Sequence, residues 1–248
     1  MNMQTYADYL VNWLENQRKT LYKMDGYVLG VSGGVDSAVC AYLLARTGTP
    51  VHCYMLPAAV SSETDLTDAN AVLDGCGLSG EVISIEPMYQ AVMTSVASAL
   101  HPDPERVKVL HGNVMARLRM VTLFTLAQSY RAVVVGTDNL AESYTGYFTK
   151  FGDGAADVLP LARLRKEQVL ALAEVLGVPS QIIYKAPSAG LWEGQTDEDE
   201  LGVNYTVLDT FLRGEKVSKA AQKRIAFWHN RSHHKRMLPP MPEETPNQ

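Results

Sequence analysis

The chain has 248 residues, 46% hydrophobic and 20% charged, with a net charge of −5 at neutral pH. That length suits one large α/β domain or two small ones with a sizeable core, and the acidic balance argues against general nucleic-acid binding. There is no run of about 18 apolar residues to span a membrane and no signal-peptide pattern at the N-terminus, and the three cysteines Cys40, Cys53 and Cys76 read as buried small hydrophobes in a reducing cytoplasm.

Tyr6, Leu10, Leu14 and Leu21 fall near helical spacing and predict an amphipathic N-terminal helix over 3–22. Residues 27–29 then form a short apolar run, followed by Gly30-Val31-Ser32-Gly33-Gly34-Val35-Asp36-Ser37 and a buried helix over 38–45. A second strand, 51–56, ends at Pro57. Ser62 and Asp65 have N-cap spacing and open a helix that stops at Gly75. A third strand is expected over 82–85. A helix over 88–100 follows, with Val92, Val96 and Leu100 at four-residue intervals, and His101-Pro102-Asp103-Pro104 breaks it. Gly112 and Asn113 introduce a helix over 114–130, and the strand 132–135 closes on Gly136-Thr137-Asp138.

Strands that alternate with helices and read as continuous apolar runs imply a three-layer α/β fold, a parallel sheet flanked by helices on both faces. Ligands of such a sheet collect beyond the carboxyl ends of the strands, which puts 32–37, 57–62 and 137–142 on one rim. Residues 146–160 lose periodicity and are rich in glycine, aromatic and charged residues, the composition of a functional loop. A helix over 166–176, a loop over 187–195 that reads as a lid ordering over ligand, and helices near 198–201, 205–213 and 218–230 complete the fold. The tail 231–248 is polar, and no repeat or domain boundary interrupts 1–248.

Strand, glycine-rich turn and helix make a phosphate-binding layout, in which successive backbone N–H groups and a helix N-terminus surround one concavity. Ser32 and Ser37 add hydroxyls, and Gly33 and Gly34 allow close approach of the backbone to a ligand. Asp36 would repel a phosphate unless a cation lies between them, and is read as a Mg²⁺ ligand. The turn is not a Walker loop, because no Gly-Lys-Ser/Thr closes it.

Ser32-Gly33-Gly34-Val35-Asp36-Ser37 resembles the pyrophosphate-binding loop of the N-type ATP pyrophosphatases, which cleave ATP between the α- and β-phosphates and transfer AMP. Within that group, Ala116-Arg117-Leu118-Arg119-Met120, Gly136-Thr137-Asp138-Asn139-Leu140-Ala141-Glu142, the stretch 146–154 with Asp157 and Pro160, Lys185-Ala186-Pro187-Ser188 and the closing His234-Lys235-Arg236 resemble the NAD synthetase family in order and spacing.

The resemblance implies an adenine nucleotide alpha hydrolase-like, Rossmann-like fold in one domain spanning 1–248. It also implies a ligase forming a C–N bond: ATP and deamido-NAD give an adenylated nicotinate carboxylate and pyrophosphate, and ammonia displaces AMP to form NAD⁺. Gly30, Val31, Ser32, Gly33, Gly34, Val35, Asp36, Ser37, Thr137, Lys166 and Ser188 are assigned to ATP by it, with Asp36, Ser37 and Lys166 as the catalytic set. Arg117, Lys150, Asp157, His234 and Lys235 are assigned to deamido-NAD, and Asp36 and Glu142 to Mg²⁺. Free ammonia, or ammonia from a separate protein, is expected because 248 residues are already filled by the synthetase fold and leave no amidase domain, and a homodimer because family members are homodimers. His229, His233 and His234 invite a metal reading but fit a solvated tail better. A tRNA thiolase would need catalytic cysteines and a basic surface, a GMP synthetase would lack the 150–157 motif, and a nucleotide sensor would not need Asp36, Glu142 and Lys166 intact.

Overall fold

The computed structural model describes residues 2–185 and 196–242. Its centre is β1 (Gly26–Gly30), with β2 (Val51–Met55) on one side and β4 (Ala132–Val135) on the other, and β3 (Gly80–Val82) beyond β2. All neighbours run parallel, with Leu29 opposite Cys53 on one side and Val135 on the other. Alternation along the strands divides the sheet into two apolar faces. Tyr27, Leu29, Cys53, Met55, Val133 and Val135 join one core, and Val28, Tyr54, Ala132 and Val134 join the other.

The two faces are covered unequally. The first packs against α1 (Met3–Asn16), α2 (Val35–Ala45), α3 (Glu63–Cys76) and α7 (Lys166–Leu176), through residues such as Leu10, Leu43, Val72 and Leu172. Among the described residues the second is covered by α4 (Glu86–Val96) and α5 (Val107–Tyr130), which contribute Met88, Tyr89, Met115 and Ala127. A smaller cluster of Ala141, Leu201, Tyr205, Leu208 and Ile225 gathers α6 (Leu140–Thr145), α9 (Asp197–Leu201), α10 (Tyr205–Leu212) and α11 (Lys219–Arg231). The remaining short helix, α8 (Ser180–Ile183), follows α7. Among the described residues no helix is long and apolar enough to cross a membrane.

Several boundaries differ from expectation for identifiable reasons. The N-terminal helix becomes π-helical over Gln17–Tyr22, and the wider turn changes the phase, leaving Leu21 65% exposed rather than on the buried stripe. Helix α3 runs through Gly75, where the Tyr42 hydroxyl leaves no room for a Cβ, and ends at Gly77 with φ +71°. Strand β3 starts two residues early, although Ile83 N donates to Met55 O and Ile85 N to Pro57 O in continuation of the pairing. Helix α4 begins at Glu86, with proline in its first turn, and its valines at four-residue spacing, Val92 and Val96, are exposed. Helix α5 begins seven residues early, with Gly112 inside it. Helices α6 and α8 were not anticipated. Helix α7 matches its expected span and stops at Gly177, φ +84°. The loop 146–160 carries one bridge, Val135 to Val158, and a 3₁₀ turn at His233–Lys235 lies in the tail. The lid expected over 187–195 lies outside the described residues.

Candidate active site: a cavity at the carboxyl ends of the strands

The turn between β1 and α2 is held by its own serines. Ser37 Oγ donates to Gly34 O at 2.9 Å, lies 3.2 Å from Ser32 Oγ, and accepts from Ser32 N at 3.3 Å. Gly33 has φ +81°, and a Cβ there would come within 2.7 Å of Asp65 O and 2.9 Å of Asp68 Cβ, so the crest of the loop packs directly on α3. Among the described residues no side chain caps the start of α2, and its first residues open into a cavity of 1420 Å³. Gly30, Val31, Ser32, Gly34, Val35, Asp36, Ser37, Thr137, Glu142, Lys166 and Lys235 all line that cavity. Gly33 does not, because its Cα faces α3.

Asp36 is fixed from two other elements. Its Oδ2 accepts from Lys166 Nζ at 2.5 Å and its Oδ1 from Asn139 Nδ2 at 3.1 Å. Asn139 is fully buried and also caps α6: its side-chain oxygen accepts from Ala141 N and Glu142 N, while Asn139 N donates to Glu142 Oε2. One asparagine thus sets both carboxylates. Lys166, the first residue of α7, is almost fully buried, with its ammonium 5.2 Å from the Tyr205 ring centre. Asp209 receives the first amides of that helix, from Lys166 N and Glu167 N.

The electrostatics are those of crowded, desolvated acids. Burial, with the charge of Asp36 beside it, pushes the Glu142 carboxyl up to about 8. Burial and the charges of Glu142, Asp153 and Asp36 raise Asp138 well above its ordinary value. Burial opposes a charge on Lys166, but Asp36 and Glu142 outweigh it, so the ammonium is held above its usual value. Asp36 and Glu142 are oxygen donors from two segments, and crowding of the buried acids raises Glu142 and Asp138, a strain that a bound divalent cation would relieve. Among the described residues no group of three or more His, Cys, Asp or Glu is arranged to hold a metal alone. A cation here would therefore complete its shell with phosphate oxygens and water.

The residues expected to meet deamido-NAD divide. Lys235 reaches the cavity wall, donating to Gly146 O and Phe148 O; burial, with the nearby Arg117, Arg231 and Arg236, lowers its pKa. Arg117, Lys150 and His234 lie outside the cavity as a linked surface row: Arg117 Nε donates to Lys150 O at 3.3 Å, and Lys150 Nζ to His234 O at 2.9 Å. Asp157 is also outside the cavity and is tied to the sheet, its Oδ2 accepting from Val134 N at 2.8 Å and its carbonyl from the Tyr22 hydroxyl. Ser188 lies outside the described residues. Sequence reasoning missed Asn139 and Arg119. The first was readable as an Asn-x-x-Glu capping box. The second shares a motif with Arg117, and its orientation had no sequence signal.

A family model described as NAD synthase matches residues 6–239. The NH(3)-dependent NAD(+) synthetase of Mannheimia succiniciproducens is 63% identical over 243 residues, 98% of this chain and 97% of the relative. Among solved structures, the NMN synthetase of Francisella tularensis superposes with TM-score 0.93 at 48% identity, covering 98% of this chain and all of that one. The NH3-dependent NAD synthetase of Campylobacter jejuni superposes with TM-score 0.79 at 26% identity, covering 98% and 100%. A match over nearly the whole length, joined to a phosphate-type loop whose aspartate meets a lysine 130 residues away, leads to one assignment: the chain belongs to the NAD synthase family.

Proposed function

We propose that this chain makes NAD⁺ by ATP-dependent amidation of deamido-NAD with ammonia, releasing AMP and pyrophosphate. The observation that carries the reading is the Asp36–Lys166 pair at 2.5 Å, set in a cavity lined by the 30–37 loop. A carboxylate attacking an α-phosphoryl group brings two anions together, and like charges about 4 Å apart repel by roughly 4 kcal/mol at an effective dielectric near 20. Lys166 supplies one offsetting charge. Asp36 and Glu142 would hold Mg²⁺, which when bound neutralises phosphate charge and the departing pyrophosphate.

In the first half-reaction a nicotinate carboxylate oxygen bonds to the α-phosphorus, and the bond to the β-phosphate bridge breaks with its electron pair leaving on pyrophosphate. Loop amides of 30–37 and the Ser32 and Ser37 hydroxyls receive that charge. In the second, ammonia adds to the acyl carbon, the bond to AMP breaks, and the nitrogen loses a proton. Thr137 lines the same cavity and would add a nucleotide contact. The three unpaired cysteines fit a reducing cytoplasm.

A second copy of the chain belongs in this reading. Arg117, Lys150 and His234 lie outside their own cavity, and the thinly covered α4–α5 face exposes Val92, Val96, Val109 and Val121. A homodimer packed on that face would cover the valines and let the surface row meet deamido-NAD bound between subunits.

A second reading of the substrate has its own support, the 48% identity and 0.93 TM-score to an NMN synthetase. By the same chemistry the acid would then be nicotinate mononucleotide. Purified protein with ATP and Mg²⁺, given deamido-NAD or nicotinate mononucleotide and either ammonium or glutamine, decides between them. NAD⁺ from ammonium alone, with equal AMP and pyrophosphate, supports the first reading. NMN formed in preference moves the assignment to the mononucleotide, and ATP bound but uncleaved with either acid sinks both.

A further inference from the structure

Arg119 lies two residues beyond Arg117 on α5, about 200° further round the helix. Arg117 is exposed and outside the cavity, whereas Arg119 is half-buried and lines it. Its one hydrogen bond among the described residues runs from Nε to Leu56 O at 2.9 Å, at the carboxyl end of β2. That bond orients the guanidinium and leaves the two terminal nitrogens of the fork available. Among the described residues no carboxylate stands within ion-pair distance of it.

The acids whose charge favours it are Asp153 and Asp65, and both are already occupied. Asp65 accepts from Lys185 Nζ at 2.9 Å, and Asp153 from Thr149 N at 3.0 Å. Burial lowers the pKa of Arg119 from its ordinary value, though an arginine remains charged. A half-buried guanidinium with no counter-charge within ion-pair distance is costly unless an anion arrives. The two acids also locate it. Asp65 belongs to the segment under Gly33, on the phosphate-loop side, and Asp153 to the side of Lys235. Arg119 therefore stands between the loop and the cationic wall.

We propose that Arg119 receives the non-bridging oxygens of the α-phosphoryl group of the bound nucleotide, at the point where the two anionic substrates meet. This rests on the ATP-dependent reading above. A planar fork suits two phosphate oxygens, and the Leu56 carbonyl holds it in place before ligand arrives. The competing role is purely structural, in which Arg119 serves only to satisfy the Leu56 carbonyl.

The test measures binding of ATP, AMP and inorganic pyrophosphate by calorimetry, without any nicotinate substrate, on the wild-type chain and on Arg119→Met and Arg119→Lys, with melting temperatures alongside. The Met variant should bind ATP and AMP about 10- to 100-fold more weakly, as expected for the loss of a charged hydrogen bond, and pyrophosphate unchanged. The Lys variant, which keeps the charge and loses the fork, should fall between, and answers the question should the Met variant not fold. Unchanged ATP and AMP affinity with a lowered melting temperature overturns the assignment in favour of the structural role. An equal loss for pyrophosphate overturns the α-phosphoryl position. A wild-type chain that binds no ATP overturns the ATP-dependent reading itself.

Discussion

The cavity and the surface row beside it are built in opposite ways. In the cavity Asp36, Asn139, Glu142 and Lys166 come from three separate segments and bond side chain to side chain or side chain to backbone, all buried or half-buried. In the row, among the described residues, Arg117 and Lys150 donate to the backbone carbonyls of Lys150 and His234, and the Lys150 ammonium lies 5.1 Å from the centre of the Phe151 ring. The first arrangement fixes its charged groups against one another within one chain. The second holds its charges in place without neutralising them, as suits a surface that meets an anion or a partner.

Removing the central cation tests the cavity most severely. Lys166→Met should cut kcat/KM by on the order of 100- to 1,000-fold, as when one preorganised electrostatic group is lost. It should also lower the melting temperature, because Asp36 and Glu142 then stay buried without their ammonium; steady-state kinetics and calorimetry check both. Activity within a few-fold of wild type would break the contrast.

Next comes the subunit question. Arg117→Ala and Lys166→Met chains should each be nearly inactive. If the row serves a partner's cavity, mixing them after dissociation should restore about a quarter of wild-type activity, since half of randomly formed dimers are mixed and each holds one intact site. No recovery, with dimers present by light scattering, would confine the row to its own subunit.

The loop offers an internal contrast. Gly33→Ala forces an L-residue to φ +81° and into Asp65 and Asp68, and should destabilise the protein by about 1–3 kcal/mol while weakening ATP binding. Gly34→Ala meets only Ser32 Oγ at 3.4 Å and should change stability by less than about 1 kcal/mol. Chemical denaturation distinguishes them.

The smallest effect is expected far from the cavity. Glu15 accepts from Arg18, Tyr27 and Thr49, and the Arg18 bond, against burial, holds its carboxyl well below the usual range. A depressed folded value means that its stabilisation is complete above the unfolded value of about 4.3 and is lost progressively as pH falls from there through the folded value. Glu15→Gln should therefore cost about 1 kcal/mol at pH 7 and somewhat less near pH 3, read from urea melts at both.

Legibility followed the range of the forces involved. The β1 run, the glycine turn and the α2 run are local, and local patterns are written in adjacent residues. The same holds for the Ser62–Asp65 capping box and for α7, whose bounds match. Leu21 was misjudged because a π-helical turn changed the helix phase, and Gly75 because a buried tyrosine rather than a chain reversal requires a glycine there. Val92 and Val96 have core spacing on a helix that buries none of its residues.

By itself the sequence determined a parallel α/β fold, a phosphate-type loop and the ordered motifs of a family, because strand runs, turn glycines and caps depend on neighbours within a few positions. Only the tertiary structure decided that Lys166 meets Asp36 across 130 residues, that Asn139 joins Asp36 to Glu142, that Asp157 braces the sheet, and that of two arginines in one motif Arg119 faces the cavity. The physical reason is that facing and proximity depend on helix phase and on how layers pack, and both are set by contacts between residues far apart in the chain.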